Sequence, residues 1–238
     1  IYMINYYKKY LKYKKKYLEK KKFFNLKQNF ATPYFSRDIA EFWRRWHISL
    51  STWFRDYLYI PLGGSRGGTW MKVRNTFAIF LISGFWHGAN WTFIAWGTLH
   101  AIYFLPLLLM KRNRDNIEIV AMGKTIPTAK ELFAMLTTFG LTVFAWIFFR
   151  AKTINDAILY IKRMVTDMRF SEQYFSIERY SNELLLLLLL FVIVEWNSRT
   201  KIEPISGKYS WLKLGLCLSA IVALGVFSDY KEFIYFQF

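Results

Sequence analysis

A stretch without a single Asp, Glu, Lys or Arg, residues 76–110, constrains this sequence more than any other feature. Its 35 residues are too many for one membrane-spanning helix, which needs about 20. Glycine and asparagine interrupt the stretch near its middle, so it predicts two helices, over 76–87 and 91–110. Because lipid cannot hydrogen-bond free backbone groups, the break at 87–90 must be buried in protein or line a cavity.

The composition indicates a membrane protein. The chain is 54% hydrophobic and 21% aromatic, yet it carries a formal charge of +17. A membrane protein separates the two properties along the chain, in apolar spans and basic loops. Further apolar runs predict spans over 132–149, 184–194 (extending back toward Ser181 and on to Trp196) and 211–227. We therefore expect an all-α, polytopic membrane protein, whose C-terminus lies outside the cell if 76–110 crosses twice.

Residues 1–33 form a basic, amphipathic segment, in which ten lysines within 1–30 face one acid, Glu19. Lysines beside a membrane domain bind anionic headgroups, each contributing about 1 kcal/mol. We therefore interpret the segment as cytoplasmic and lipid-facing, and not as a nucleic-acid site. Cys217 is the only cysteine, which excludes an intrachain disulfide. The chain opens with Ile1 and shows no signal peptide, so we expect it to be the C-terminal part of a longer protein.

Residues 36–60 have a helical period, with aromatic and aliphatic side chains every three or four positions. Several charges on the other side rule out a simple lipid-exposed span. The pattern predicts one interfacial or re-entrant helix, packed on protein at the cytoplasmic surface. Ser36 is the expected N-cap, and Pro61 followed by GGSRGG ends the helix.

The chain has three histidines, and their settings differ. His100 lies within a continuous apolar helix, where a hydrogen-bonded core role is the usual one. His87 lies at the glycine break, with Asn90 and Thr92 near enough to form a polar pocket. An ionisable residue inside a membrane marks a functional site, and a neutral imidazole is well suited to take a proton near pH 7.

His47 lies on the aromatic side of the 36–60 helix, which should pack toward the membrane domain and meet His87. Two converging histidines can act as base and orienting group, or as two metal ligands. No acid has a ligand spacing to His47, so we do not predict a metal site. A GxSxG nucleophile elbow, a phosphate-binding GxxxxGK[ST] loop and a histidine–aspartate acyltransferase box are absent from the sequence. Any catalysis therefore runs through histidine itself.

Four segments of the chain carry a family resemblance. They are WRRWHISLSTWFRDYLYIPLGGSRGG, RNTFAIFLISGFWHGANWTFIAWGTLH, AWIFFRA and the terminal FIYFQF. In this order they resemble the membrane-bound O-acyltransferase (MBOAT) family, most of all its alginate O-acetyltransferase branch. The resemblance covers 34–238, which we take as the membrane domain. Because family members are longer, it implies that an N-terminal half is missing here.

The resemblance implies a helical bundle around a funnel, with interfacial and re-entrant helices, in the bacterial inner membrane. The donor is an acyl thioester, above all acetyl-CoA, used as a substrate that approaches from the cytoplasm; no cofactor is tightly bound. The acceptor is a hydroxyl of an exported polysaccharide or of peptidoglycan, reached directly or through a periplasmic acetyltransferase partner. His87 matches the family's essential histidine in WHG and becomes the general base. His47 matches the second histidine in RWH and orients a substrate.

The resemblance also implies substrate-binding residues beside the two histidines and at the cytoplasmic mouth. They are Trp46, Trp86, Asn90, Arg55, Asp56, Gly63 and Gly64. Asn90 or the Trp91 amide would stabilise the oxyanion of the reaction. The arginines suited to a phosphorylated donor such as coenzyme A are Arg44, Arg45, Arg55 and Arg66.

Three other functions are consistent with the sequence. One is D-alanyl transfer to teichoic acid from a carrier protein, although the PLGG after FRDYLYI favours the acetyl branch. Another is a membrane transporter that uses the glycine break as a gate, and it predicts transport that survives His87→Gln. The third is a scaffold subunit of a polysaccharide export complex, which would have no need for a histidine at the break.

Overall fold

In a computed structural model, the chain is described over residues 28–167, 182–201 and 209–224, and the regular structure within these ranges is helical. The helices are α1 (Ile39–Arg45), α2 (Ile48–Phe54), α3 (Gly68–His87), α4 (Trp91–Leu109), α5 (Ala129–Arg150), α6 (Ile154–Thr166), α7 (Asn182–Ser198) and α8 (Ser210–Leu224). The predicted all-α class is confirmed. The predictions for most of the basic segment and for the terminal FIYFQF lie outside the described residues.

Helices α3 and α4 form an antiparallel hairpin whose backbones nearly touch. A Cβ added at Gly84 would overlap the Phe93 carbonyl, and one added at Gly97 would overlap the Phe80 carbonyl. The predicted break is confirmed, and α4 ends within one residue of the predicted position. Helix α3 begins eight residues before the predicted 76. Its first turns carry charged residues, which a helix tolerates where it is not exposed to lipid.

Within the part of the chain that the structure describes, two helices, α4 and α5, are long and apolar enough to cross a membrane. Helix α5 covers the predicted 132–149 and begins three residues earlier, because Thr128 and Glu131 form a capping box at its start. It packs against α4. Helix α7 covers the predicted run at 184–194. Helix α8 follows the predicted 211–227 as far as Leu224, where the described residues end.

The prediction of one helix over 36–60 is wrong, because the chain breaks at His47. This residue has φ 46° and ψ 54°, a left-handed conformation between α1 and α2. At the break, the backbone groups of Arg45 and Ile48 form hydrogen bonds with the segment 29–31. The Ala31 amide donates to the Arg45 carbonyl (2.9 Å), and the Ile48 amide donates to the Asn29 carbonyl (2.9 Å). A π-helical turn, Arg55–Tyr59, continues α2.

The N-cap of α1 is Asp38, whose carboxylate accepts from the Glu41 amide at 2.7 Å, and not the expected Ser36. The Ser36 hydroxyl instead donates to the Pro33 carbonyl. Aspartate, being charged, is the stronger partner at the positive end of a helix.

A buried carboxylate anchors α1. Glu41 is 1% exposed and accepts from both Arg37 and Arg45, at 3.1 and 2.9 Å. Both arginines also donate to the Glu118 carbonyl, and Arg37 reaches Glu131 at the start of α5. The network therefore fixes α1 against the 118–121 segment and the end of a span.

Helix α6 forms between the predicted spans 132–149 and 184–194, where the sequence predicts no helix. Thr153 caps α6 by accepting from the Asp156 amide. Its apolar residues recur on one side, among them Ile158 and Val165, which are exposed. The mixed charge of the region hides this helical period from a simple search for apolar runs.

Candidate functional site

His87 is the last residue of α3 and lies among aromatic rings. Its imidazole is 4.9 Å from the ring centre of Phe149, 5.0 Å from Trp86 and 5.2 Å from Trp96. Gly88 follows with φ 153° and ends the helix. The Nδ1 atom of His87 is buried and has no hydrogen-bond partner among the described residues. The rings therefore fix the position of the imidazole without occupying this nitrogen.

His47 lies in the same part of the molecule, presented by the α1–α2 break. Trp46, which precedes it, lies 5.5 Å from Trp146, one turn of α5 before the Phe149 ring that contacts His87. The Nδ1 atom of His47 is also buried without a partner in the described part of the chain, and the ring of Phe30 lies 6.0 Å away. Non-glycine residues adopt the left-handed conformation only where the surrounding structure holds them in it, and such residues cluster at functional sites. Within 28–167, 182–201 and 209–224 no three His, Cys, Asp or Glu side chains form a group that could hold a metal.

A cavity of about 290 Å³ lies between α1, α2, α3 and the end of α4. Its α3 wall is formed by Thr76, Ile79, Phe80 and Ser83. These positions share one helix face, and the next residue on that face is His87. The cavity therefore runs along α3 toward the histidine. Its far wall includes Trp43 and Phe54.

Among the described residues, the cavity is lined by three arginines, Arg44, Arg55 and Arg114, and by no acidic residue. Arg44 donates to the carbonyls of Asn113 and Asn116, each at 2.8 Å. Burial lowers the pKa of Arg44, but an arginine stays charged at any physiological pH. The cavity is therefore apolar inside and positive at its edge.

Arg55 and Asp56, both predicted to bind substrate, form an exposed pair at 2.7 Å. The hydrogen bond from Arg55 lowers the pKa of Asp56. Only Arg55 lines the cavity. Asp56 therefore orients the arginine from the solvent side.

The predicted glycine turn lies beside the cavity. Gly63 and Gly64 have φ of 98° and 57°. Asn75, fully buried, donates to the carbonyls of Leu62 and Gly64, at 3.1 and 3.0 Å. The Tyr59 and Ser65 hydroxyls, 2.9 Å apart, both line the cavity. Sequence reasoning missed Asn75, because no spacing rule connects it to the turn that it holds.

The other predicted site residues have different surroundings. Trp86 is 56% exposed and contacts His87. Trp46 stacks on Phe42, in an aromatic cluster with Trp146. The Asn90 side chain accepts from the Thr92 amide as the N-cap of α4 and donates to the Lys152 carbonyl.

Two rings around His87, Trp96 and Phe149, were not among the predicted site residues. Phe149 belongs to the AWIFFRA segment of the resemblance. Trp96 lies one and a half turns into α4, on the side that faces α3. The helical spacing of Thr92, Trp96 and His100 is the signal that could have identified this side, because all three are buried.

The comparisons with known proteins agree with these features. A probable alginate O-acetylase (AlgI) of Azotobacter vinelandii is 48% identical over 134 residues, 56% of this chain and 25% of that protein. A peptidoglycan O-acetyltransferase of Helicobacter pylori is 46% identical over 144 residues, 60% of this chain and 26% of that protein. A teichoic acid D-alanyltransferase of Streptococcus thermophilus is 34% identical over 140 residues, 54% of this chain and 34% of that protein.

The matched segment thus spans between a quarter and a third of the length of these relatives. The sequence profile of the MBOAT, membrane-bound O-acyltransferase family matches residues 22–149, more than half of the chain and all of α1 to α4. The chain therefore belongs to the membrane-bound O-acyltransferase family.

Proposed function

We propose that this chain carries the general base of a membrane O-acetyltransferase and the cavity that binds its thioester donor. The enzyme acetylates a hydroxyl of an exported polysaccharide or of peptidoglycan. One observation carries the proposal: His87, whose Nδ1 has no partner among the described residues, lies in an aromatic enclosure and on the helix face that lines an arginine-edged cavity, in the same part of the molecule as His47. A base, a second imidazole and a place for an anionic donor are thus assembled together.

The cavity suits the thiol end of coenzyme A. Its apolar interior accommodates an acetyl group and the chain that bears it, and guanidinium groups at its edge suit phosphates. Basic residues of membrane proteins collect on the cytoplasmic side, where acetyl-CoA is found. We therefore place the cavity mouth in the cytoplasm of a cell whose inner membrane holds the protein, on the same side as the lysine-rich segment.

In the reaction, the acceptor hydroxyl attacks the thioester carbonyl while the His87 imidazole takes its proton. The tetrahedral intermediate then collapses, breaking the carbon–sulfur bond. The imidazolium returns the proton to the departing thiolate, so the products are the acetyl ester and free coenzyme A. His47 orients the substrate.

The oxyanion of the intermediate needs a hydrogen-bond donor. The Asn90 side chain is held as the N-cap, accepting from the Thr92 amide and donating one of its two N–H groups to the Lys152 carbonyl. The Trp91 amide, in the first turn of α4, is therefore the better donor, because the first amides of a helix lack partners within it. Asn90 contributes by holding this turn in place.

The relatives favour acetyl over D-alanyl transfer. The matches named as O-acetylating enzymes are 48% and 46% identical, and the D-alanyltransferase is 34% identical. Both kinds of reaction join an acyl thioester to a hydroxyl, so the same histidine arrangement supports either. The acceptor, and any periplasmic partner that passes the acetyl group on, are best identified by direct chemical analysis.

The test compares His87→Ala with Phe85→Ala in the full-length protein, at matched abundance in the membrane. Phe85 is a suitable control because it lies on the same turn and is 65% exposed. O-acetyl and D-alanyl esters are measured on exported polysaccharide, peptidoglycan and teichoic acid. We expect His87→Ala to remove O-acetyl esters from one acceptor and Phe85→Ala to retain them.

Loss of D-alanyl esters instead would replace acetyl transfer with alanyl transfer. Unchanged esters in His87→Ala would refute acyl transfer through this histidine and favour a transport or scaffold role.

A further inference from the structure

We propose that His100 is a positioning residue of the acyl-transfer site, which sets two indole rings, that of Trp43 in the cavity wall and that of Trp96 beside His87. The inference rests on the proposed function. His100 lies in the middle of α4 and is fully buried. It does not line the cavity itself, so it acts through its neighbours.

The first neighbour is Trp43 of α1. Its indole nitrogen donates to Nδ1 of His100 at 3.2 Å, and its ring lines the cavity. An indole N–H can only donate, so Nδ1 must carry a lone pair and the proton of the neutral imidazole is on Nε2. The bond joins α1 to α4 and fixes one wall of the cavity.

The second neighbour is Trp96, which contacts both histidines. Its ring is 5.0 Å from His100 at 74° and 5.2 Å from His87 at 90°. It also lies 5.8 Å from Trp43. A change in the His100 ring would therefore move the ring that supports His87, and with it the base.

The chemistry of the position argues against simple packing. The Nε2 atom of His100 is buried and has no partner among the described residues. A buried polar group without a partner is destabilising, and a leucine at this position would avoid that cost. The presence of a histidine here is explained by its Nδ1 atom, which accepts the hydrogen bond that holds Trp43.

The test is kinetic and uses the full-length enzyme in membranes. His100→Asn keeps a hydrogen-bond acceptor near the position of Nδ1, whereas His100→Leu removes it. Trp43→Phe removes the same bond from the other side. Ile102→Ala is the control, because this residue is on the same helix and 47% exposed. Acetyl transfer from acetyl-CoA gives kcat and KM, and thermal unfolding reports on folding.

We expect His100→Leu to lower kcat by about 10-fold or more, since small displacements of a base have such effects. His100→Asn should recover most of this loss. Trp43→Phe should resemble His100→Leu, and the double variant should be no slower than the slower single variant, because both remove one bond. Ile102→Ala should match the wild type.

Equal kinetics in His100→Leu and wild type would overturn the proposal, as would a His100→Asn variant as slow as His100→Leu. If His100→Leu does not fold, Trp43→Phe and His100→Asn decide the question: a slow Trp43→Phe with an active His100→Asn supports the role, and any other result refutes it. Transfer that survives His87→Ala refutes the proposed function itself, which separates the two failures.

Discussion

The hairpin α3–α4 and the α1–α2 unit are held in place in different ways. In the hairpin, whose first helix ends at His87, the two backbones pack directly against each other. The α1–α2 unit, which presents His47, is anchored by a buried network of charged side chains. In the hairpin, Gly84 and Gly97 allow each helix to touch the main chain of the other. In the α1–α2 unit, a buried carboxylate holds two arginines that bond the 118–121 segment, in addition to the hydrogen bond from Trp43 to α4.

The two breaks differ in the same way. At the first, Gly88 takes the unusual φ, and His87 keeps an ordinary helical conformation. At the second, His47 takes the positive φ itself. One imidazole is thus placed by its neighbours and the other by its own backbone, so the two units should respond differently to substitution.

The largest loss of stability should come from the charged unit. Glu41→Gln leaves Arg45 without a carboxylate and Arg37 with only its 3.5 Å contact to Glu131, and breaking a buried pair costs about 3–5 kcal/mol. Thermal unfolding of the purified protein measures the change. The control is Asp115→Asn, which breaks an exposed pair with Arg112 and should lower the unfolding temperature far less, because water and salt screen an exposed pair. Similar losses in the two variants would show that the Glu41 network does not hold α1.

Gly97→Ala tests the hairpin. The added methyl group would overlap the Phe80 carbonyl, which cannot move without shifting the helix, so we expect a loss of about 1–3 kcal/mol. The control is Gly140→Ala in α5, where nothing lies within 4 Å of an added Cβ. This control should be neutral or gain up to about 1 kcal/mol. A neutral Gly97→Ala would contradict the close approach of α3 and α4.

The same difference explains what the sequence could reveal. The hairpin is predictable, because an uncharged run with glycines at its centre leaves few alternatives, and α4 falls within one residue of its predicted bounds. The break at His47 cannot be predicted, because the hydrophobic period of 36–60 continues through it. Only the backbone bonds from Asn29 and Ala31, distant in sequence, reveal it.

The candidate site divides along the same lines. Both histidines were predicted, His87 from its break and His47 from its aromatic side together with the family motif. The residues that hold these site residues in place were not predicted. The spacing of Thr92, Trp96 and His100 indicates a buried side of α4, but not that Trp96 contacts His87. No spacing rule connects Asn75 to the turn whose carbonyls it bonds.

Gly88→Ala sharpens the comparison at the first break. An added Cβ would lie 2.8 Å from the Phe93 ring, and φ 153° disfavours any L side chain, so we expect a loss of roughly 1–2 kcal/mol. A ring can rotate away where a backbone cannot, which is why the effect should be smaller than that of Gly97→Ala. Because Gly88 follows His87 directly, the rate of acetyl transfer should fall further than the loss of folded protein alone would explain. Thermal unfolding and ester content measured on the same preparations give this ratio, and an unchanged rate would show that the break does not position His87.

The smallest effect on stability, with the opposite sign, should come from His47→Gly. A left-handed conformation costs a non-glycine residue roughly 1–2 kcal/mol, and glycine adopts it freely. Part of the gain is lost to the greater freedom of glycine in the unfolded chain, so we expect an unfolding temperature equal to or slightly above that of the wild type. Acetyl transfer should nevertheless be lost, because the second imidazole is gone. His47→Asn, which also tolerates this conformation, is the matched variant and should behave alike. A stable His47→Gly that still transfers acetyl groups would mean that His47 serves the backbone turn alone, and that His87 acts without a second histidine.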